Sequence, residues 1–279
     1  MRGRLPALQS PRQYPTTAGT PSNEKLDLIE TVFAAQTHPD YINISLACPQ
    51  HSDFFPTARL QRIIASLLRR ESELLGRYAL PPGSPRLRRE IARRALDLGL
   101  QLTADDVTLT HGCMEAIQLA LRTVTTPGDC VGVETPTYFY LFPLMATLGL
   151  KIVEIPTDPQ NGLALDALEL LLRERRLQAI ITMPTVQNPL GCSMPLAEKK
   201  RLAAMVTHYQ VPSIEDGLYG ELQFCWPLSP AVKAFDQEGW VLYCSKFHQN
   251  SCTRFPSGLD RCGTFQQKCC TIKICLFSH

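Results

Sequence analysis

No run in the 279-residue sequence approaches the roughly 18 consecutive apolar residues of a membrane-spanning helix, so no such span is expected. The opening stretch from Met1 to Pro15 lacks the apolar core of a signal peptide, and the chain reads as cytoplasmic. An excess of one charge is missing too. Twenty-eight Lys and Arg face 26 Asp and Glu, a balance that gives no pull toward nucleic acid, membranes or acidic substrates, so no nucleic-acid contact is expected from this chain alone. The cysteine-rich end has neither a C-x-x-C pair nor enough of the six histidines to complete a zinc site, and a disulfide framework does not suit a cytoplasmic chain.

What is present is enough chain for one sizeable α/β domain with a buried core. Met1 to Asn23 is rich in Pro, Thr, Ser and Arg without an apolar period, and residues 1–39 read as an irregular arm or linker. From Thr57 onward Leu60, Ile63, Ile64, Leu67 and Leu68 recur at helical spacing among Arg59, Arg62, Arg69 and Arg70, which predicts an amphipathic helix. Pro81-Pro82-Gly83 breaks the chain, and Ser84-Pro85 supplies an N-cap and first-turn pair for a helix through Arg94. Short β-branched runs then alternate with helical stretches: Val107 to Thr110, Cys130 to Glu134, Lys151 to Ile155, Ala179 to Met183, Val211 to Glu215 and Val241 to Ser245. Nearly all-apolar strands in that alternation predict a mostly parallel sheet covered on both faces, with any ligand at the carboxyl ends of the strands.

The residues directly after those runs are chemically loaded. After the first come Gly112, Cys113 and Met114, where a glycine opens a helix whose N-terminal amides suit a phosphate, although an ordinary strand-to-helix turn has the same look. After the second comes Tyr138, which could stack on a planar ring or simply pack. After the fourth, Asn188 is held by Pro189 and offers a side-chain donor; Asn-Pro turns are also common without function. After the fifth come Asp216 and Tyr219; a carboxylate there would keep a pyridine nitrogen protonated, or be a solvated loop acid. Their order, one group per successive strand, is what joins them.

That ordered set resembles the fold-type I, pyridoxal-phosphate-dependent aminotransferases of class I/II. It is most similar to the aminotransferase-like domain of the MocR-type GntR regulators, in which a winged-helix DNA-binding domain precedes this fold. The resemblance covers roughly residues 40–245 and implies the large domain of a pyridoxal-phosphate-dependent transferase, incomplete here. It also implies a cofactor, pyridoxal 5'-phosphate, and a role for each residue. Gly112, Cys113 and Met114 would bind the cofactor phosphate through backbone N–H groups, so that their side chains matter little. Tyr138 would stack on the pyridine ring, Asn188 and Tyr219 would reach its phenolic oxygen, and Asp216 would pair with the ring nitrogen. Tyr78 would reach the phosphate of a partner subunit, since the intact family forms homodimers.

The sequence departs from that family where the cofactor's lysine is expected. The strand Val241 to Ser245 leads not to a lysine near position 249 but to Gln249, which cannot form an imine. Lys246 is an amine three residues too early, and a small misplacement is costly in such chemistry. No catalytic residue is therefore assigned, no covalent link to the cofactor is expected, and its binding is expected to be weakened. Codon degeneracy offers an account. Starting each codon one base later, Phe247 to Asn250 permits Ser-Thr-Lys-Thr, and Ser251 to Asp260 permits Leu-Ala-Pro-Asp-Phe-Arg-Leu-Gly-Trp-Ile, the family's missing run. Residues 246–279 thus read as an out-of-frame tail, which also explains the crowding of Cys252, Cys262, Cys269, Cys270 and Cys275 after Cys244. With that tail, the sixth strand is expected to keep an unpaired edge.

The function implied is the effector-sensing part of a GntR/MocR-type transcriptional regulator, truncated and catalytically inactive, with pyridoxal phosphate or an amino-acid-like small molecule as partner. A stand-alone amino-acid aminotransferase fragment and an interaction protein without a ligand are the alternatives.

Overall fold

The computed structural model describes residues 57–76, 80–246 and 258–261, with four helical residues at Thr31, Val32, Ala34 and Ala35. Those four lie within the arm expected to be irregular, where Leu28, Val32 and Ala35 fall at helical spacing. Tyr78, Gln249 and most of 246–279 lie outside the described residues.

Helix α1 (Thr57–Arg70) and helix α2 (Pro85–Ala95) form where the apolar spacing and the Ser84-Pro85 pair place them. Strand β1 (Thr108–Thr110), helix α3 (Cys113–Val124), strand β2 (Cys130–Thr135), helix α4 (Leu141–Thr147) and strand β3 (Lys151–Asp158) follow. A short β4 (Gly162–Leu163) returns along β3, and helix α5 (Leu165–Arg173), strand β5 (Ala179–Thr182), helix α6 (Leu196–Tyr209) and strand β6 (Ser213–Asp216) continue the alternation. Strands β7 (Val241–Lys246) and β8 (Gly258–Arg261) complete it. Two strands start later than their apolar runs, each for a local reason. Val107 and Val211 spend their N–H groups closing turns, on Ala104 O (3.3 Å) and Val206 O (3.1 Å), before the ladder begins.

The sheet order is β1-β8-β7-β6-β5-β2-β3-β4, parallel from β7 through β3. Alternation along the strands sends side chains into two cores. Ala179, Ile181, Ile214, Leu242 and Cys244 pack with Ala116, Ile117 and Leu121 of α3 on one face. Ile180, Val153, Ile155 and Val241 pack with Leu168 and Leu172 of α5 and Leu202 and Val206 of α6 on the other. A third cluster joins α2 to Tyr243 through Ile91, Leu98 and Leu100. Parallel strands covered on both faces are expected to be apolar throughout, which is why the runs were legible.

One expectation is corrected. The edge of β7 is not unpaired: β8 lies antiparallel between β1 and β7, with Tyr243 opposite Arg261, Cys244 opposite Asp260, Ser245 opposite Leu259 and Lys246 opposite Gly258. The ladder is made by backbone N–H and C=O groups, which every non-proline residue carries, so an extended segment fills the gap whatever its side chains.

Candidate functional site

The candidate residues lie at the carboxyl ends of β1, β2, β5 and β6; β6, β5 and β2 are consecutive in the sheet, and β1 stands beyond β7 and β8. Gly112 is the N-cap of α3 with φ 109°, a backbone state that suits glycine, and a Cβ added there would meet nothing within 4 Å. There is therefore room beside the Gly112 backbone at the start of α3. The first-turn amides of α3 have no intrahelical acceptors, and the positive end of the helix dipole lies at the same place. Thr110 Oγ1 donates to Gly112 O at 3.1 Å and the Glu115 side chain accepts from His111 N, which fixes the approach to the turn.

Asp216 ends β6 and is buried. Its Oδ1 accepts from Leu218 N at 3.0 Å and from Cys113 Sγ at 3.4 Å. Oδ2 takes no protein hydrogen bond among the described residues, so the carboxylate is anchored through one oxygen and the other is left for a further donor. Burial raises the Asp216 carboxyl to about 6, partly offset by the two donors. An incoming cation at Oδ2 would favour the ionised form. Besides the backbone role expected of the 112–114 turn, the buried thiol of Cys113 touches this carboxylate. Met114 is half-buried and packs on the α3 face of the core.

Tyr138 is half-buried within a cluster of rings, 5.3 Å from Phe139 and 5.1 Å from Tyr140 between centroids. Its phenol is pushed up mainly by burial and then by Tyr140, Tyr219, Asp216 and Cys113, so these groups lie near Tyr138. Tyr219 is buried on the turn after β6. That turn is tight against β7: Gly217 N donates to Cys244 O at 2.7 Å, and a Cβ on Gly217 would stand 2.3 Å from the Tyr243 ring.

Asn188 is half-buried on the turn after β5, with its N–H on Met183 Sδ at 3.1 Å. Residues that sequence reasoning did not single out hold that turn. Gln187 Nε2 donates to Pro136 O at 2.7 Å and to Glu134 Oε2 at 3.3 Å, while Glu134 also accepts from Thr182 Oγ1 (2.8 Å) and Met183 N (3.2 Å). Glu134 is buried, its carboxyl raised by desolvation and lowered by these donors. The Asn188 and Tyr138 loops are therefore tied together beneath the cleft. An acid closing an apolar strand, four residues before Tyr138, was the available signal. A separate groove of about 430 Å³, lined by Arg94, Glu221, Phe224 and Trp226, contains none of the candidate residues.

These features fit a phosphorylated pyridine: a helix N-terminus with room for an anion, a buried carboxylate with one oxygen left for a further donor, and an aromatic ring near that carboxylate. The mostly parallel sheet covered on both faces, with this cleft at its strand ends, defines the large-domain fold of the pyridoxal-phosphate-dependent transferases. The family model described as aminotransferase class I and II matches residues 50–244, and the chain belongs to that family. It is 32% identical over 275 residues to the uncharacterized HTH-type transcriptional regulator YjiR of Escherichia coli, covering 98% of this chain, and so part of the segment after Lys246, and 57% of YjiR. It is 33% identical to a second such regulator of that organism, YdcR, over 88% of this chain and 53% of YdcR. Among solved structures, the kynurenine aminotransferase of Pyrococcus horikoshii, in complex with PMP, superposes with a TM-score of 0.78 at 26% identity, over 90% of this chain and 64% of that one. The chain thus spans little more than half the length of the curated regulators it matches. Among the described residues no helix is long and apolar enough to cross a membrane.

Proposed function

We propose that this chain is the effector-sensing, aminotransferase-like domain of a GntR/MocR-type transcriptional regulator, and that it binds pyridoxal 5'-phosphate without a covalent link. The observation that carries the reading is the Asp216 carboxylate, anchored through Oδ1 by Leu218 and by Cys113 at the α3 N-terminus, with Oδ2 left for a further donor and Tyr138 nearby. In this proposal the first-turn amides of α3 at Gly112, Cys113 and Met114 take the phosphate, Tyr138 stacks on the ring, Asp216 holds the ring nitrogen protonated, and Asn188 and Tyr219 bind its phenolic oxygen. When bound, such a cofactor supplies an electron sink for chemistry at an amino-acid carbon. Gln249, at the position expected for lysine, leaves the domain a receptor rather than a catalyst. The working assembly is a homodimer, to which Tyr78 contributes across the interface.

Titration of the full chain with pyridoxal 5'-phosphate, followed by borohydride reduction and peptide mass analysis, tests this. Saturable binding without a reducible adduct is expected. An adduct mapped to Lys246 would overturn the assignment of a non-covalent receptor, and absence of saturable binding would overturn the cofactor assignment. A stand-alone aminotransferase would have no winged-helix domain encoded upstream, and inspection of the gene separates the two.

A further inference from the structure

Lys199 is fully buried on α6, in a stretch of three consecutive basic residues, Lys199-Lys200-Arg201, that would ordinarily face solvent. All three of its ammonium protons have acceptors: Thr185 Oγ1 at 2.7 Å, Ser229 Oγ at 3.0 Å and Pro230 O at 2.9 Å. The two sides of this node lead to different parts of the cleft. Thr185 opens the turn that carries Asn188 three residues later. Ser229 is locked to Gln223, which accepts from Ser229 N at 3.0 Å and donates to Gly220 O at 2.8 Å, next to Tyr219. Glu215 fixes the same far segment by accepting from Val232 N and Lys233 N, both at 2.9 Å. Burial lowers the Lys199 ammonium while Glu215 supports it. Filling this space with an apolar side chain would avoid the desolvation of a charge, so a fully paired buried ammonium points to a geometric requirement.

We propose that Lys199 is a positioning residue that sets Asn188 and Tyr219 relative to one another, and thereby the ionisation of a phenolic hydroxyl held between them. This rests on the cofactor reading above. No contact between Lys199 and the ligand is involved; it acts through Thr185 on one side and through Ser229 and Gln223 on the other.

The test uses the full chain and pyridoxine 5'-phosphate, which has no aldehyde and so cannot form an imine, and whose ultraviolet spectrum reports ionisation of its 3-hydroxyl. In the unsubstituted chain the bound ligand should be held as the phenolate to lower pH than the free ligand. Lys199→Met should weaken binding about tenfold, the equivalent of one misplaced hydrogen bond to a charged group, and shift the ionisation of the bound hydroxyl upward. Thr185→Val and Ser229→Ala each cut one side of the node and should shift it in the same direction by less; they carry the test if Lys199→Met does not fold. Loss of thermal stability with an unchanged spectrum and affinity in all folded variants would overturn the proposal, since a merely structural lysine would behave so. Failure of the unsubstituted chain to bind the probe would instead sink the cofactor reading, and the role of Lys199 with it.

Discussion

The carboxyl of Asp216 is held at about 6 against an ordinary 3.8, so between those values the folded state binds more protons than the unfolded one. Its contribution to stability is therefore present in full below about pH 4 and lost as pH rises through about 6, a swing of about 3 kcal/mol. Asp216→Asn removes the titration, and the ligand-free variant should gain up to about that much over the parent at pH 7 while matching it near pH 4; chemical denaturation at both pH values measures this. The same variant should lose affinity for pyridoxine 5'-phosphate. Equal stabilities at pH 7 would show that the carboxylate is better solvated than its burial implies. Cys113→Ala removes one of the two donors on Oδ1, so the midpoint of the stability change should move to higher pH, which a denaturation series from pH 4 to 8 would read. Asp216, Asn188 and Tyr219 could be found in the sequence because each follows a strand. Lys199 could not, since a basic helical run looks like a solvated face until the fold turns one member inward. The Cys113 contact was equally hidden, being set by two segments 103 residues apart.

The strands were legible as apolar runs, but the starts of two of them were not, because turn closure at Val107 and Val211 claims the backbone first. The turn between β6 and Tyr219 depends on a close approach that no periodicity signals. Gly217 lies against Tyr243, itself 3% exposed and packed by Ile91 and Leu98, so the ring cannot move aside. Gly217→Ala should cost about 1–3 kcal/mol from overpacking, and should weaken pyridoxine phosphate binding because the turn carries Tyr219. Thermal denaturation with ligand titration checks both effects. Full stability in the variant would mean that the strand end yields more readily than this packing allows.

The match to the aminotransferase class I and II family model ends at residue 244, whereas the alignment to YjiR continues into the segment after Lys246, where the reading frame is proposed to slip. Resequencing the gene around codon 246 should find one extra base, and the restored frame should continue for at least about a hundred further residues of matching sequence, enough for a small domain. An immediate stop codon in that frame would count heavily against the slip. A chain carrying the restored sequence should resist limited proteolysis after Lys246 better than this one. If residues 246–279 prove as protected as β5 to β7, the tail is a folded element in its own right.

Strand β8 reaches its partners through only four residues, three paired to β1 and four to β7. Seen from the rest of the sheet, it is a guest in a slot whose two walls are complete without it. Such a slot discriminates among guests by length and extension rather than by identity. A second copy of the molecule could lend its own strand there, so the place where the reading frame is proposed to slip is also where two molecules could exchange parts.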